Sequence, residues 1–505
     1  MSYLRMRRLT SFTGLPLRTA RTFCYAESQE TSEPHSGVNL SHEIHKMKPS
    51  VKTANVPGPR SQKLLKELNE IQTNSIAHFF LDYEKSRGNF VVDADGNVLL
   101  DLFQHIAAMP LGYNHPAIKE VLNLPEYQAL LVNRPALLFF PPVNFTEMIN
   151  STLLCVAPKG LNKVTPMGCG TCSNENAMKS AIITYRTRER AGRAPTEEEL
   201  STSLIGKAPG APELSILSFK GGFHGRLFGS LSVTCSHPIQ KLDIPTFNWP
   251  QADFPNLKYP LHEHKRENEA EEERCLARVE EIFHEEKKQR PIAAAIIEPI
   301  QAEGGDRHAS PDFFNKLRNI VAKNNAFFIV DEVQTGVVTT GKFWAHENWN
   351  LDQPPDYVTF AKKMQIGGFY YNDGYKPAEK NRIQSTWNGD PSKLLTLKEI
   401  LKVIDDENLV ENVKDAGQVL LDGLKQLQEK FPQYLSGARG LGTFCAIDLP
   451  DTLQRDAFVN QLRNNGLVTG GSGFKSVRFR PSLICTRHHI RIALDIIESE
   501  LKKLK

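Results

Sequence analysis

Asp331 and the lysine pair Lys362-Lys363 are the residues through which this chain could do chemistry. Five apolar residues, Ala326-Phe-Phe-Ile-Val330, run straight into Asp331, which should place its carboxylate at the carboxyl end of a buried strand. A charge there needs a partner, because burying it alone is costly. The carboxyl edge of an open α/β sheet is also where ligands bind. Read alone, Asp331 would better suit a cap on the next turn. Farther on, Tyr357-Val-Thr-Phe-Ala361 reads as another short strand that delivers Lys362 and Lys363 ahead of Gly367-Gly368. Such a pair is ordinarily a solvated surface feature. At a desolvated sheet edge, however, a lysine can lose its proton and become an imine-forming nucleophile.

An aldehyde cofactor with a protonated ring nitrogen needs both groups, a lysine for its carbonyl and a carboxylate for its pyridinium. Pyridoxal 5'-phosphate is that cofactor, and it also needs a cup for its phosphate. The stretch MGCGTCSNENAM (167–178) offers one, since its small-residue turn opens a helix at which Gly170 and Thr171 can present backbone N–H groups. The same turn carries a CxxC, Cys169 and Cys172, which by itself suits a redox pair or half of a metal site. Downstream, SILSFKGGFHGR (215–226) breaks at glycines and exposes an aromatic ring, an imidazole and a guanidinium within four residues. Phe223 could stack on a ring, and Arg226 suits a carboxylate bidentately.

The elements that must position these residues read as an α/β fold around a mainly parallel sheet. Its clearest unit is a buried strand at IAAAII (292–297), a helix opened by Ser310-Pro311, and the strand ending at Asp331. Asp95-Gly96 between two apolar runs predicts a hairpin. The charge-dense stretch 261–290 reads as a solvated surface helix. Strands near 442–447 and 476–480 and a last helix from about Thr486 fit a smaller α+β C-terminal domain. The expected division is a leader over 1–26, an arm and hairpin over 27–104, a large domain over 105–395 and a small one over 396–505.

The first 26 residues hold five arginines and no acid, the composition of a mitochondrial transit peptide. Removing those five charges takes the formal charge of +3 to −2, so neither nucleic acid nor an anionic surface is implied as a partner. The longest apolar runs are far shorter than the roughly 20 residues of a membrane-spanning helix. Eight scattered cysteines in 505 residues do not make a disulfide framework and point to a reducing compartment.

DEVQTG (331–336), Lys362, FHGR, EPIQAEGGD and STWNGDPSK occur in order, and together they resemble the class III, ω-amino-acid aminotransferases of PLP fold type I. The likeness runs from VPGPRSQ to the final helix. It implies that Lys362 carries the cofactor, Asp331 pairs with the pyridinium nitrogen, Gln334 lies near the phenolic oxygen and Phe223 stacks on the ring. Gly170 and Thr171 would hold the phosphate together with Thr386 of the partner subunit, which makes the protein a homodimer. Arg226 would receive the substrate carboxylate beside Ile106. Glu303 would mask Arg478 until a second carboxylate arrives. The implied reaction runs between an ω-amino acid, 4-aminobutyrate or alternatively β-alanine, and 2-oxoglutarate, which becomes glutamate, in the mitochondrial matrix.

A four-thiolate site needs two ligands beyond Cys169 and Cys172, and a two-fold dimer can supply the same pair again. The resemblance makes that site a [2Fe-2S] cluster shared between subunits. Several positions depart from the family pattern: Thr171 stands for Ser, GVVTTGK (336–342) lacks a glycine run and a cysteine, and Gln365-Ile366 replaces Met-Thr. Phe103-Gln104-His105 also differs, near the substrate mouth. No cysteine bridge is therefore expected at Thr339.

Overall fold

The computed structural model describes residues 47–72 and 76–504; the Arg-rich leader and the arm up to residue 46 lie outside them. Asp95-Gly96 turns a hairpin of β1 (Phe90–Val92) and β2 (Val98–Asp101), with Gly96 at a φ of +80° that suits a residue without a side chain. Seven strands follow in one sheet: β3 (Lys163–Met167), β4 (Ser215–Phe219), β5 (Gln251–Ala252), β6 (Ile292–Ile297), β7 (Phe327–Asp331), β8 (Tyr357–Phe360) and β9 (Gly367–Tyr371). Their order is β3-β9-β8-β7-β6-β4-β5, and β9 alone runs antiparallel to its two neighbours.

Continuous apolar strands belong in such a sheet because both of its faces are covered. Successive residues of β7 alternate between two cores. Phe327 and Ile329 meet Ala177, Met178 and Ala181 of the Gly170–Glu189 helix, while Phe328 and Val330 meet Phe314 and Leu317 of the Pro311–Lys323 helix. Ser310 starts the latter helix as expected, its Oγ accepting the Phe313 N–H at 3.1 Å. The charge-dense stretch is a helix over Lys265–Glu286, but it is not solvated all round. Cys275, Leu276, Val279, Ile282 and Phe283 bury one face in the core, and Glu272 accepts from both the N–H and the hydroxyl of Ser310 at 2.6 Å. Dense charge on the other face hid that stripe.

A second sheet has the order β10-β11-β14-β13, from β10 (Ser436–Leu441), β11 (Phe444–Asp448), β13 (Gly470–Ser472) and β14 (Ser476–Phe479). Between them in sequence, β12 (Leu467–Val468) pairs in parallel with β2. Through that pairing Phe90, Leu100 and Leu102 join the apolar core of the C-terminal helices. The two bodies meet at the loop after β6. Gly305 there has a φ of +110°, and a Cβ on Gly473 would lie 2.8 Å from its Cα, so the backbones touch. Among the described residues no helix is long and apolar enough to cross a membrane.

Beneath this seam the Arg480 guanidinium and the Asp306 carboxylate are both fully buried and form two hydrogen bonds, one at 2.9 Å. Breaking such a pair strands one charge and costs about 3–5 kcal/mol. Asp306→Asn should therefore lower the midpoint of urea unfolding followed by far-ultraviolet circular dichroism, and an unchanged midpoint would refute that role.

Candidate active site

All the chemistry-bearing loops leave the same edge of the seven-stranded sheet. Asp331 ends β7, Lys362 follows β8, Glu298 follows β6, the Phe223–Arg226 loop follows β4, and the Gly170 helix follows β3. Asp331 is the hub. Its Oδ2 accepts from Asn174 Nδ2 at 2.7 Å and faces His224 Nδ1 at 2.8 Å, and its Oδ1 accepts the Val333 N–H at 3.0 Å. Thr359 Oγ1 lies 2.6 Å from Asn174 Oδ1 and 3.4 Å from Asp331 Oδ1, and its single proton goes to the nearer oxygen, that of Asn174. A carboxylate has about four lone-pair positions. Three are filled, which leaves one for a cationic N–H, as the ring of pyridoxal phosphate would provide.

The phosphate cup has the matching features. Cys169 gives no side-chain cap to the Gly170–Glu189 helix, and among the described residues no acceptor meets the N–H groups of Gly170 and Thr171. A Cβ on Gly170 would lie 2.6 Å from Val333 Cγ1, so the turn admits only glycine there. Thr171 Oγ1 accepts the N–H groups of Arg226 at 3.2 Å and Leu227 at 3.4 Å, leaving its own proton to donate. Gly225, at a φ of +127°, lets that hydroxyl approach, since a Cβ would lie 2.1 Å from it. These donors fit a phosphate at a helix N-terminus.

The two lysines have opposite fates. Lys363 Nζ is buried and donates to the Gln334 carbonyl at 2.7 Å and, more weakly, to that of Ala107 at 3.4 Å. Lys362 starts a short 3-10 turn at a φ of +49°, and among the described residues no hydrogen bond holds its Nζ. Burial pushes the Lys362 ammonium down to about 8; Glu303 opposes the shift, and the cationic Arg478 and Arg480 add to it.

Gln334 Oε1 accepts from Arg480 Nε at 2.8 Å, which leaves its amide N–H groups as the free end. Glu298, buried beside Asp331, accepts the N–H of Phe223 at 2.8 Å and of Ala302 at 3.1 Å, and so fixes the loop that presents the Phe223 ring. Burial and the Asp331 charge raise its pKa well above the ordinary carboxylate range. Arg226 is exposed, lies with its guanidinium 5.6 Å from the centre of that ring, and has no acid partner among the described residues. Arg478 does have one, donating from Nη1 to Glu303 Oε1 at 2.6 Å.

Ile106 lies in an unusual turn. Gln104, His105, Ile106 and Ala107 all have φ between +47° and +61° without a glycine among them. Thr386 is exposed, and no hydrogen bond or ion pair joins it to the groups around Lys362 among the described residues; its carbonyl accepts the Leu137 N–H at 2.6 Å. Cys169 and Cys172 have sulfurs 3.1 Å apart, with Cys169 exposed. Among the described residues no group of three or more His, Cys, Asp or Glu side chains could hold a metal.

Sequence reasoning passed over Asn174, the role of His224, and Arg480. Asn174 had a signal, since it stands four residues after Gly170 and so shares its helix face. Arg480 had none, because its contacts reach across the seam.

The sequence profile of the family described as class-III aminotransferases matches residues 71–501. The chain is 51% identical to the mitochondrial 4-aminobutyrate aminotransferase of Homo sapiens over 90% of its own length and 91% of that protein. It is 47% identical to the 4-aminobutyrate aminotransferase of Dictyostelium discoideum, over 90% of this chain and 92% of that one. Among solved structures, a lysine aminotransferase from M. tuberculosis superposes with a TM-score of 0.77 at 30% identity, covering 88% of this chain and all of that one.

Lys362 should separate from the exposed lysines by chemistry. An amine-directed label applied to the cofactor-free chain reacts only with neutral amines. Lys362 should therefore label with a midpoint near pH 8, below which it is protonated and inert, while exposed lysines need about pH 10.4. Peptide mapping that finds Lys362 unlabelled at pH 9 would contradict this.

Proposed function

We propose that this chain, which belongs to the class-III aminotransferases, is a 4-aminobutyrate:2-oxoglutarate aminotransferase with pyridoxal phosphate as cofactor. The observation that carries the reading is one unpaired and one masked guanidinium: among the described residues Arg226 has no acid partner, whereas Glu303 occupies Arg478. A substrate with a single carboxylate meets Arg226 alone. The names of relatives at 47–51% identity support the same substrate.

When bound, pyridoxal phosphate supplies an aldehyde for the substrate amine and a cationic ring that draws electrons from the amine-bearing carbon. Asp331, oriented by Asn174 and His224, would hold the ring N–H at its open lone-pair position. Gly170 and Thr171 would hold the phosphate, Phe223 would cover the ring face, and the Gln334 amide would donate to the ring oxygen. Arg226 binds the carboxylate of 4-aminobutyrate and orients the far amine toward Lys362. Lys362 Nζ removes the proton from the amine-bearing carbon as general base, a role that a pKa near 8 suits at neutral to slightly alkaline pH. Glu303 moves aside when 2-oxoglutarate brings a second carboxylate for Arg478. The half-reactions release succinate semialdehyde and then glutamate from one site, which gives ping-pong kinetics.

A homodimer is part of this reading. Thr386 adjoins a patch in which Val132, Phe139, Phe140 and Val143 are 64–109% exposed, and Arg134 stacks over Trp387 at 3.9 Å. A second copy would cover that patch and receive Thr386. The mitochondrial matrix is the proposed location, supported by the leader composition and by the name of the human relative.

The [2Fe-2S] cluster is supported only by the closeness and exposure of one cysteine pair. Burial and Cys169 raise the Cys172 thiol to about 11, so iron would have to displace its proton. Anaerobically purified protein carrying iron and acid-labile sulfide, both lost in Cys172→Ala, would support the cluster; their absence from the unaltered protein would leave two inert thiols.

β-Alanine is the alternative substrate, since Arg226 lies at an exposed position that admits more than one chain length. Comparing kcat/KM for 4-aminobutyrate, β-alanine and ornithine decides: 4-aminobutyrate should lead, and greater activity with ornithine would overturn the reading. Arg226→Lys, which loses the bidentate fork, should raise KM for 4-aminobutyrate by roughly 10- to 100-fold, equivalent to a charge-assisted hydrogen bond of about 1.5–3 kcal/mol.

A further inference from the structure

The left-handed turn Gln104–Ala107 is held from two sides. On its own side Asp101 Oδ1 accepts the N–H groups of Phe103 at 2.7 Å and Gln104 at 2.9 Å, and Ala108 N–H closes the turn onto the Gln104 carbonyl at 2.8 Å. On the other side stands the turn that carries Lys362. Gln365, itself at a φ of +60°, donates from Nε2 to the Ala108 carbonyl at 3.0 Å and to the Lys362 carbonyl at 3.2 Å. One amide group thus fastens the left-handed turn to the turn that carries Lys362. Non-glycine residues keep such a conformation only where their surroundings over-determine it.

We propose that Gln365 is a positioning residue that sets which length of ω-amino acid is accepted. It fixes the separation between the Gln104–Ala107 turn, which carries Ile106, and Lys362, which meets the amine. This rests on the ω-amino-acid reading above. Lys363 also touches this turn, but its shorter bond goes to Gln334, so it ties Lys362 to the Asp331 segment more than to Ile106. A side chain without an amide at 365 would leave the Ala108 carbonyl without this donor and free the turn that carries Ile106 to shift.

Gln365→Met keeps the chain length of the side chain and removes both hydrogen bonds. In the cofactor-loaded variant, KM for 4-aminobutyrate should rise about 3- to 10-fold, the effect of one neutral hydrogen bond, with kcat within about twofold. The preference in kcat/KM for 4-aminobutyrate over β-alanine should shrink by a similar factor. Hydrogen exchange of the amides over 104–108 should quicken about tenfold, while that of β7 stays the same. Unchanged exchange would overturn the proposal, as would faster exchange with an unchanged preference, or a fall in kcat at constant KM. If the unaltered protein does not use 4-aminobutyrate, the functional reading falls by itself. The exchange comparison then decides the clasp, which stands on faster exchange and falls on none.

Discussion

The buried carboxylate of Asp331 is the constraint around which this sheet edge is organised. Five apolar residues carry it to a place where an unsatisfied charge would be prohibitive, so several elements must converge on it. Asn174 arrives on the helix after β3, His224 on the glycine loop after β4, and Thr359 on β8 steadies Asn174. Moving any one of these strands would leave a donor or the carboxylate without its partner. The same convergence brings the phosphate cup, the aromatic loop and the lysine turn side by side.

The second sheet contributes through one residue more than any other. Arg480 is fully buried, pairs with Asp306, holds Gln334 and lies 3.3 Å over the Phe444 ring. It therefore fixes the seam and the orientation of a group at the cofactor site at once. Lys363 acts similarly from within the large sheet by anchoring the backbone of Gln334, which explains why two adjacent lysines are not interchangeable.

Much of the site was legible because its signals are local. Apolar runs ending in glycine or a charge marked β6, β7 and β8 almost to the residue, and the small-residue turn marked the Gly170 helix. The partners of Asp331 were illegible because Asn174 and His224 lie far from it in sequence, and a polar residue on a helix carries no sign of what it will face. The buried stripe of the Lys265–Glu286 helix was masked by the charge on its other face. No glycine advertises the left-handed turn at Gln104–Ala107; its support comes from Asp101 and from Gln365, far downstream. Thr386, by contrast, meets none of the groups around Lys362 among the described residues; its carbonyl accepts only the Leu137 N–H.

The Glu303–Arg478 pair spans the two sheets, from the loop after β6 to β14. Its consequence is a rule of electroneutrality. The Arg478 guanidinium is nearly buried, and so it must always face one negative charge. In the proposed reaction a ligand that displaces Glu303 would have to bring a carboxylate in exchange, one for one. Discrimination at this end of the pocket would then rest on charge rather than on shape, and an ester or amide of the same outline would be refused because it would leave a cation without a counterion.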